Sequence, residues 1–285
     1  MKRLFVNLRY TYIGSRGSIL GWGLGLALYG LMIVPMYETF AGQGDQFQQM
    51  IASYPPEFLA FFGATVDTML TPAGFLGMYA FSMLPIIIGI YAVLAGSGLM
   101  VSDEERGRLD LIIAHPVGRS SLFFGRLLGI LAIALSIHLL GWLGFSLLLG
   151  GSSLGVSWGQ MAIPFLTLLV QTVFYIALAL MLSMLLPSRN LAAVVSGAVM
   201  VTSYLVSSLA FMDKSMEALA KLMPYHYFQT VLSFQELNLG WLFILLGISA
   251  TMMVVAWLRF VQRDLRVSGE GNWKMPFRAE RRKAV

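Results

Sequence analysis

The residues that could act as acids, bases or ion-pair partners crowd into one interior stretch, Ser102 to Arg126, SDEERGRLDLIIAHPVGRSSLFFGR. Three consecutive carboxylates lead it, Asp103, Glu104 and Glu105, and Arg106, Arg108, Arg119 and Arg126 follow. A charged insert this short, set between long apolar segments, has little room to assemble a reaction centre. It is well suited to being gripped by another protein. The remaining candidates for chemistry are sparse. His138 lies mid-way along an apolar run, and the three histidines are widely separated. A metalloprotease would need His-Glu-x-x-His, and a serine protease a Ser–His pair, with a Gly-x-Ser-x-Gly elbow as its usual mark. Neither pattern is present, nor are paired intramembrane aspartates. With no cysteine, disulfides and thiolate metal sites are excluded. The sequence therefore reads as a chain without catalysis and without a cofactor of its own.

The elements that hold these residues are helices in a membrane. The chain is 58% hydrophobic and only 12% charged, against about 25% charged for a soluble domain. It cannot cover a water-facing surface. Apolar runs at 18–38, 75–101, 122–150, 159–186, 191–212 and 239–259 each reach the roughly 18 residues that signal a bilayer-spanning helix. The expected fold is all-α, with six transmembrane helices, a short helix on one side and short helices on the other. All basic residues but Lys214 and Lys221 fall on one side of this arrangement, together with both termini. The positive-inside rule makes that side cytoplasmic, and the localisation expected is a multi-pass protein of the cytoplasmic (inner) membrane. The net charge of +5 is spread over juxtamembrane segments, where it meets anionic lipid. Nucleic acid is not the expected partner.

Three parts follow from this pattern. Residues 1–17 form an interfacial N-terminal helix whose apolar side is Phe5, Leu8 and Tyr12 at helical spacing. Residues 18–260 form the six-helix membrane domain, with an inner loop at 102–121 and outer loops at 39–74 and 213–238. Residues 261–285 are a basic tail. In the first outer loop a short run after Pro56 is too short to cross and reads as a helix at the outer surface. Gly21 and Gly25, in register with Gly17, and Ala193 with Gly197 have the four-residue spacing that lets helix backbones approach closely, so they are candidate subunit contacts. Gln171 and Tyr175, with Thr202 and Ser203, are candidates for a weakly polar path, or for ordinary interhelical contacts. His138 is expected to hydrogen-bond a neighbouring carbonyl or hydroxyl, and Arg126 to snorkel to the inner surface.

Within the inner loop, Ser102 and Glu105 fit a capping box, and the acids complement the helix dipole. Leu109, Ile112 and Ile113 then make an apolar stripe, Gly107 weakens the helix, and Pro116 ends it. Glu104-Glu105-Arg106-Gly107-Arg108-Leu109, then Pro116-Val117-Gly118-Arg119 and Gly125-Arg126, resemble the intracellular loop of ABC-2 type permeases, the membrane subunits of a class of ATP-binding-cassette exporter. Arg108 stands where that family usually has Thr, and Arg126 where it has Lys. The resemblance implies that Glu104, Glu105, Arg106, Gly107, Arg108, Leu109, Ile112 and Pro116 form a coupling helix seated in a separate ATPase subunit. It further implies two copies of that ATPase, a second permease as homo- or heterodimer partner, and ATP with magnesium bound by the ATPase. No G-x-x-x-x-G-K-[ST] phosphate loop occurs in this chain, so hydrolysis would belong to the partner. The implied function is export of a hydrophobic or amphipathic substrate: a drug, a peptide antibiotic or a lipid. The rival reading is an ATP-independent secondary carrier or a membrane scaffold, although a carrier would want the intramembrane carboxylates that are missing.

Overall fold

The computed structural model describes residues 2–69, 71–105, 118–229 and 237–262. Among them all regular structure is helical. Six helices are long and apolar enough to cross a bilayer: Arg16–Gly42, Pro72–Gly98, Arg119–Gly151, Trp158–Leu185, Arg189–Met212 and Leu239–Gln262. They are spans one to six below, and they match the six apolar runs of the sequence. A span of 27 residues is about 40 Å long, more than the ~30 Å of hydrocarbon.

The fourth span is the axis of the bundle. Its apolar window is 72% buried, against 33% for the first and fifth spans and 22% for the sixth. It packs along spans two, six, three and five. Its start is fixed by a true capping box, Ser157 with Gln160. The fifth span opens the same way, with the Ser188 hydroxyl accepting from the Leu191 N–H at 3.2 Å.

The second span is built in two pieces. Thr71 caps a short helix, Pro72–Leu76, a π-helical turn follows at Gly77–Phe81, and a regular helix resumes at Leu84–Gly98. The cause is Pro85, which has no N–H to give and whose ring crowds the preceding turn. The carbonyls released by this break find other donors. The Ser82 hydroxyl bonds to Met78 O, and the Tyr29 hydroxyl of the first span bonds to Tyr79 O.

Close approach between the first and third spans depends on glycine. A Cβ at Gly144 would run into the backbone of Ala27, and one at Gly30 into Phe145. Gly23 faces Leu140 in the same way. The glycines used inside the chain thus lie on the face opposite Gly21 and Gly25, which meet nothing within 4 Å.

The N-terminal helix, Lys2–Gly14, packs on the third span, where Gly125 and Gly129 leave a groove for Leu4, Asn7, Leu8 and Thr11. The Tyr12 hydroxyl reaches Ser136 at 2.9 Å. Of the expected apolar side, Leu8 and Tyr12 lie on this face, packed on protein. Phe5 departs from it and points away, with 64% of its surface exposed, and the close approach at Gly125 and Gly129 is made by Leu4, Asn7, Leu8 and Thr11 instead. At the far end of the bundle, helices Gly44–Ala52, Pro56–Phe61 and Val66–Met69 enclose a small core of Ile51, Leu59, Ala64 and Met69. The short helix expected after Pro56 is among them.

The two glycine faces predict opposite outcomes. Gly144→Leu pushes against backbone that cannot yield and is expected to cost about 3 kcal/mol, or to abolish folding. Gly21→Leu is expected to change the stability of the detergent-solubilised chain by no more than about 0.5 kcal/mol. Thermal unfolding of the two purified variants checks this, and equal losses would count against the packing described.

Candidate functional site

The basic end of the bundle gathers the start of the inner loop, the starts of spans three and five, and the end of span six. The second span stops at Gly98, turns through Leu99 and Met100, and restarts as a short helix, Val101–Glu105. Met100 and Val101 are buried and pin the turn. The helix therefore begins one residue before Ser102. Ser102 sits inside the first turn and cannot serve as the cap expected of it, and the Glu105 carboxylate is used elsewhere.

Arg126, seven residues into the third span, is buried at 5% exposure. Its Nη2 donates to Asp103 Oδ2 at 2.7 Å, and its Nη1 donates to Leu99 O at 3.1 Å. The expectation that Arg126 snorkels to the surface is thereby corrected. The turn after Gly98 places both a carboxylate and a carbonyl within reach, so the guanidinium is satisfied in place. A buried charge with these partners is held; one without them costs several kcal/mol.

Glu105 ties the same helix to another span. Its Oε1 accepts from the backbone N–H of Arg189 at 3.3 Å, at the first residue of span five, where the helix dipole favours a negative charge. The third span is in turn joined to the sixth. Arg119 Nη1 donates to Val261 O at 3.0 Å, near the C-terminal end of span six, where free carbonyls favour a cation. Trp257 Nε1 donates to Ser120 Oγ at 3.1 Å. Phe124 on Trp257 and Phe123 on Phe260, with ring centroids 5.5 and 5.8 Å apart, complete the joint. One turn of helix is thus attached to spans two, three and five, and through span three to span six.

Of the residues expected to couple, Glu104 and Glu105 lie on this helix, Glu104 half-buried and Glu105 exposed. Arg106, Gly107, Arg108, Leu109, Ile112 and Pro116 lie outside the described residues. Sequence reasoning named Asp103 and Arg126 but missed their pairing, and it missed Trp257, the contact of Ser120 with it, and the role of Arg189 here. Arg126 carried its signal as a charge inside an apolar run, and nothing in the sequence pointed to its partner.

The candidate path residues separate. Gln171, Tyr175 and Ser203 are fully buried together. Gln171 Nε2 donates to the Tyr175 hydroxyl at 3.3 Å, and Ser203 Oγ accepts from the Tyr225 N–H at 2.8 Å. The Tyr225 hydroxyl donates to Ser82 O at 3.2 Å. Thr202 is exposed on the other face, as its neighbour's burial requires in a helix. The first three residues therefore form an enclosed polar seam between spans four and five. His138 is buried, with Nδ1 2.7 Å from Ala134 O and Nε2 3.1 Å from Thr172 Oγ1. Both ring nitrogens are engaged in the way the sequence suggested. Gly197, like Gly21 and Gly25, meets nothing within 4 Å, and Ala193 is half-buried. Among the described residues no group of three or more His, Cys, Asp or Glu is placed to hold a metal ion.

The clamp makes a prediction about coupling energies. Asp103→Asn and Arg126→Met are each expected to cost about 3 kcal/mol, since each leaves a buried partner unpaired. The double variant should lose less than the sum of the two by at least 1 kcal/mol. Unfolding of the solubilised chain measures the cycle, and strict additivity would mean the pair does not interact.

The family model described as ABC-2 family transporter protein matches residues 18–265 of this chain. No curated protein matches it.

Proposed function

Because that match takes in all six spans and the loop between spans two and three, the chain belongs to the ABC-2 transporter family, and we propose that it is the permease subunit of an ATP-driven exporter. It is an integral membrane protein of a transporter whose family contributes membrane subunits. On this proposal the basic end faces the cytoplasm, as the distribution of Lys and Arg requires. A separate ATPase, in two copies and carrying ATP and magnesium, grips the loop that opens with the helix Val101–Glu105. A second permease completes the translocation unit, and the outward-open glycines Gly21, Gly25 and Gly197 are its candidate contacts.

The single observation that carries this reading is the attachment of one helical turn, exposed at Glu105, to several spans at once. A push on Glu104 and Glu105 reaches span three through Asp103–Arg126, span five through Glu105–Arg189, and span six through Arg119 and Trp257. A loop serving only to connect two spans needs none of these ties. The cargo on this proposal is hydrophobic or amphipathic: a drug, a peptide antibiotic or a lipid. Among the described residues the buried polar groups are chiefly hydroxyls, with two amides, Gln171 and Gln229, one imidazole, and one cation, Arg126, that is already paired. Nothing there would desolvate a highly charged substrate.

Co-purification with the ATPase encoded beside it tests the assignment. Changing Glu104 and Glu105 together to Lys is expected to reduce the ATPase recovered more than tenfold and to abolish transport-linked hydrolysis. Glu104→Lys alone, which leaves the Glu105–Arg189 contact in place, should show a smaller loss in the same direction. Unchanged recovery and unchanged coupled hydrolysis in a monodisperse double variant would refute the coupling role.

A further inference from the structure

A pocket of about 790 Å³ opens at the basic end between the N-terminal helix, span two and span three. Its size is that of a small-molecule site. The polar lining includes Arg9 and Tyr10 from the N-terminal helix, Ser102 and Asp103 from the loop helix, Arg126 from span three and Arg189 from span five. Three arginines against one aspartate leave the lining with two excess positive charges. Asp103 is engaged by Arg126, and among the described residues neither Arg9 nor Arg189 has a carboxylate within ion-pair distance of its side chain. The Arg189 guanidinium and the Ser102 hydroxyl both approach Gly98, where an added Cβ would sit 3.2 Å from the arginine Cζ and 3.0 Å from the serine Oγ. Glycine at 98 is what lets that cation approach the backbone of span two. Apart from the hydroxyls of Thr11, Ser15, Ser18 and Tyr91, the rest of the wall is apolar. Leu94, Ile130 and Ile133 continue from the arginines along the spans, and Leu94 is half exposed toward the side.

Cations at one end and aliphatic carbons leading away from them suit an amphiphile with an anionic head. Planar guanidinium forks favour phosphate, which they bind through paired hydrogen bonds, and the Ser102 and Tyr10 hydroxyls add donors of the same kind. We propose that this pocket binds the phosphate of an anionic phospholipid, with Arg9 and Arg189 pairing the phosphate and Leu94, Ile130 and Ile133 receiving an acyl chain. Such a lipid site goes beyond the export reading and does not depend on it. Its occupant bridges the N-terminal helix to the loop helix and to the start of span five, so it would brace the clamp from the lipid side.

The test is a titration of the full chain, purified in a neutral detergent, with phosphatidylglycerol, phosphatidylcholine, and glycerol phosphate or inorganic phosphate, read by native mass spectrometry. Phosphatidylglycerol is expected to be retained over phosphatidylcholine. Arg9→Gln and Arg189→Gln should each weaken it roughly fivefold, and both together about 25-fold, with phosphatidylcholine unaffected. Arg9 is exposed on its helix, so Arg9→Gln alone carries the test should Arg189→Gln fail to fold. Equal retention of the two lipids, or phosphatidylglycerol binding indifferent to Arg9→Gln, overturns the proposal. If the soluble phosphates compete as well as the lipid does, the apolar wall contributes nothing and the lipid assignment is wrong.

Discussion

The arrangement of the basic end depends on a single buried guanidinium. Placing Arg126 inside the third span is costly unless its charge and its donors are met. The chain meets them by stopping span two at Gly98 and turning, so that Leu99 offers a carbonyl and Asp103 a carboxylate to the same side chain. The position of that turn follows from the pair. So does the start of the loop helix at Val101, which takes Ser102 out of the capping position and frees Glu105 to reach the first N–H of span five. An electrostatic requirement on one helix thus sets where two others begin.

The ties at the two ends of the bundle sort the spans into groups. Spans two and five are joined at the basic end through Glu105 and Arg189, and at the other end through Ser82, Tyr225 and Ser203. Spans three and six are joined through Arg119, Ser120 and Trp257, and span one is sealed onto span three by its inward glycines. Asp103–Arg126 is the direct polar link between the first group and the second at the basic end. Span four lies between the groups and touches both, with few strong polar bonds to hold it to either. Displacement of one group against the other, pivoting on span four, is the motion this pattern of bonds resists least.

The six spans were legible because length and hydrophobicity belong to each segment alone and need no knowledge of its neighbours. The short helix after Pro56 and the hydrogen bonding of His138 were legible for the same reason, being local. What was not legible required a partner. Span one carries glycine on two faces, and while spacing marked Gly21 and Gly25 as candidate contacts between subunits, nothing local marked Gly23 and Gly30 for the crossing with span three, which needs Gly144 opposite. The N-terminal helix offered Phe5 with Leu8 and Tyr12, yet the close approach at Gly125 and Gly129 is made by Leu4, Asn7, Leu8 and Thr11. Within the candidate site, the acids and Arg126 were visible in the sequence and their pairing was not. Arg126 lies 23 residues from Asp103, and the backbone N–H of Arg189 lies 84 residues from Glu105, and no local pattern joins groups over such distances.

The polar seam at the other end carries a physical consequence for movement. Gln171 Oε1 and Ser207 Oγ are buried without a hydrogen-bond partner among the described residues, and each such group costs roughly 1–3 kcal/mol. Gln171 lies on span four beside Tyr175, and Ser207 follows Ser203 by one turn on span five. A bundle packed to a single optimum would have filled those sites with apolar side chains of the same shape. An arrangement that leaves acceptors unmet in one packing gains by supplying them in another, through a shifted helix, a water or a bound polar group. The seam therefore lowers the cost of departing from the present packing, while the Arg126 clamp keeps that departure tied to the loop helix at the opposite end.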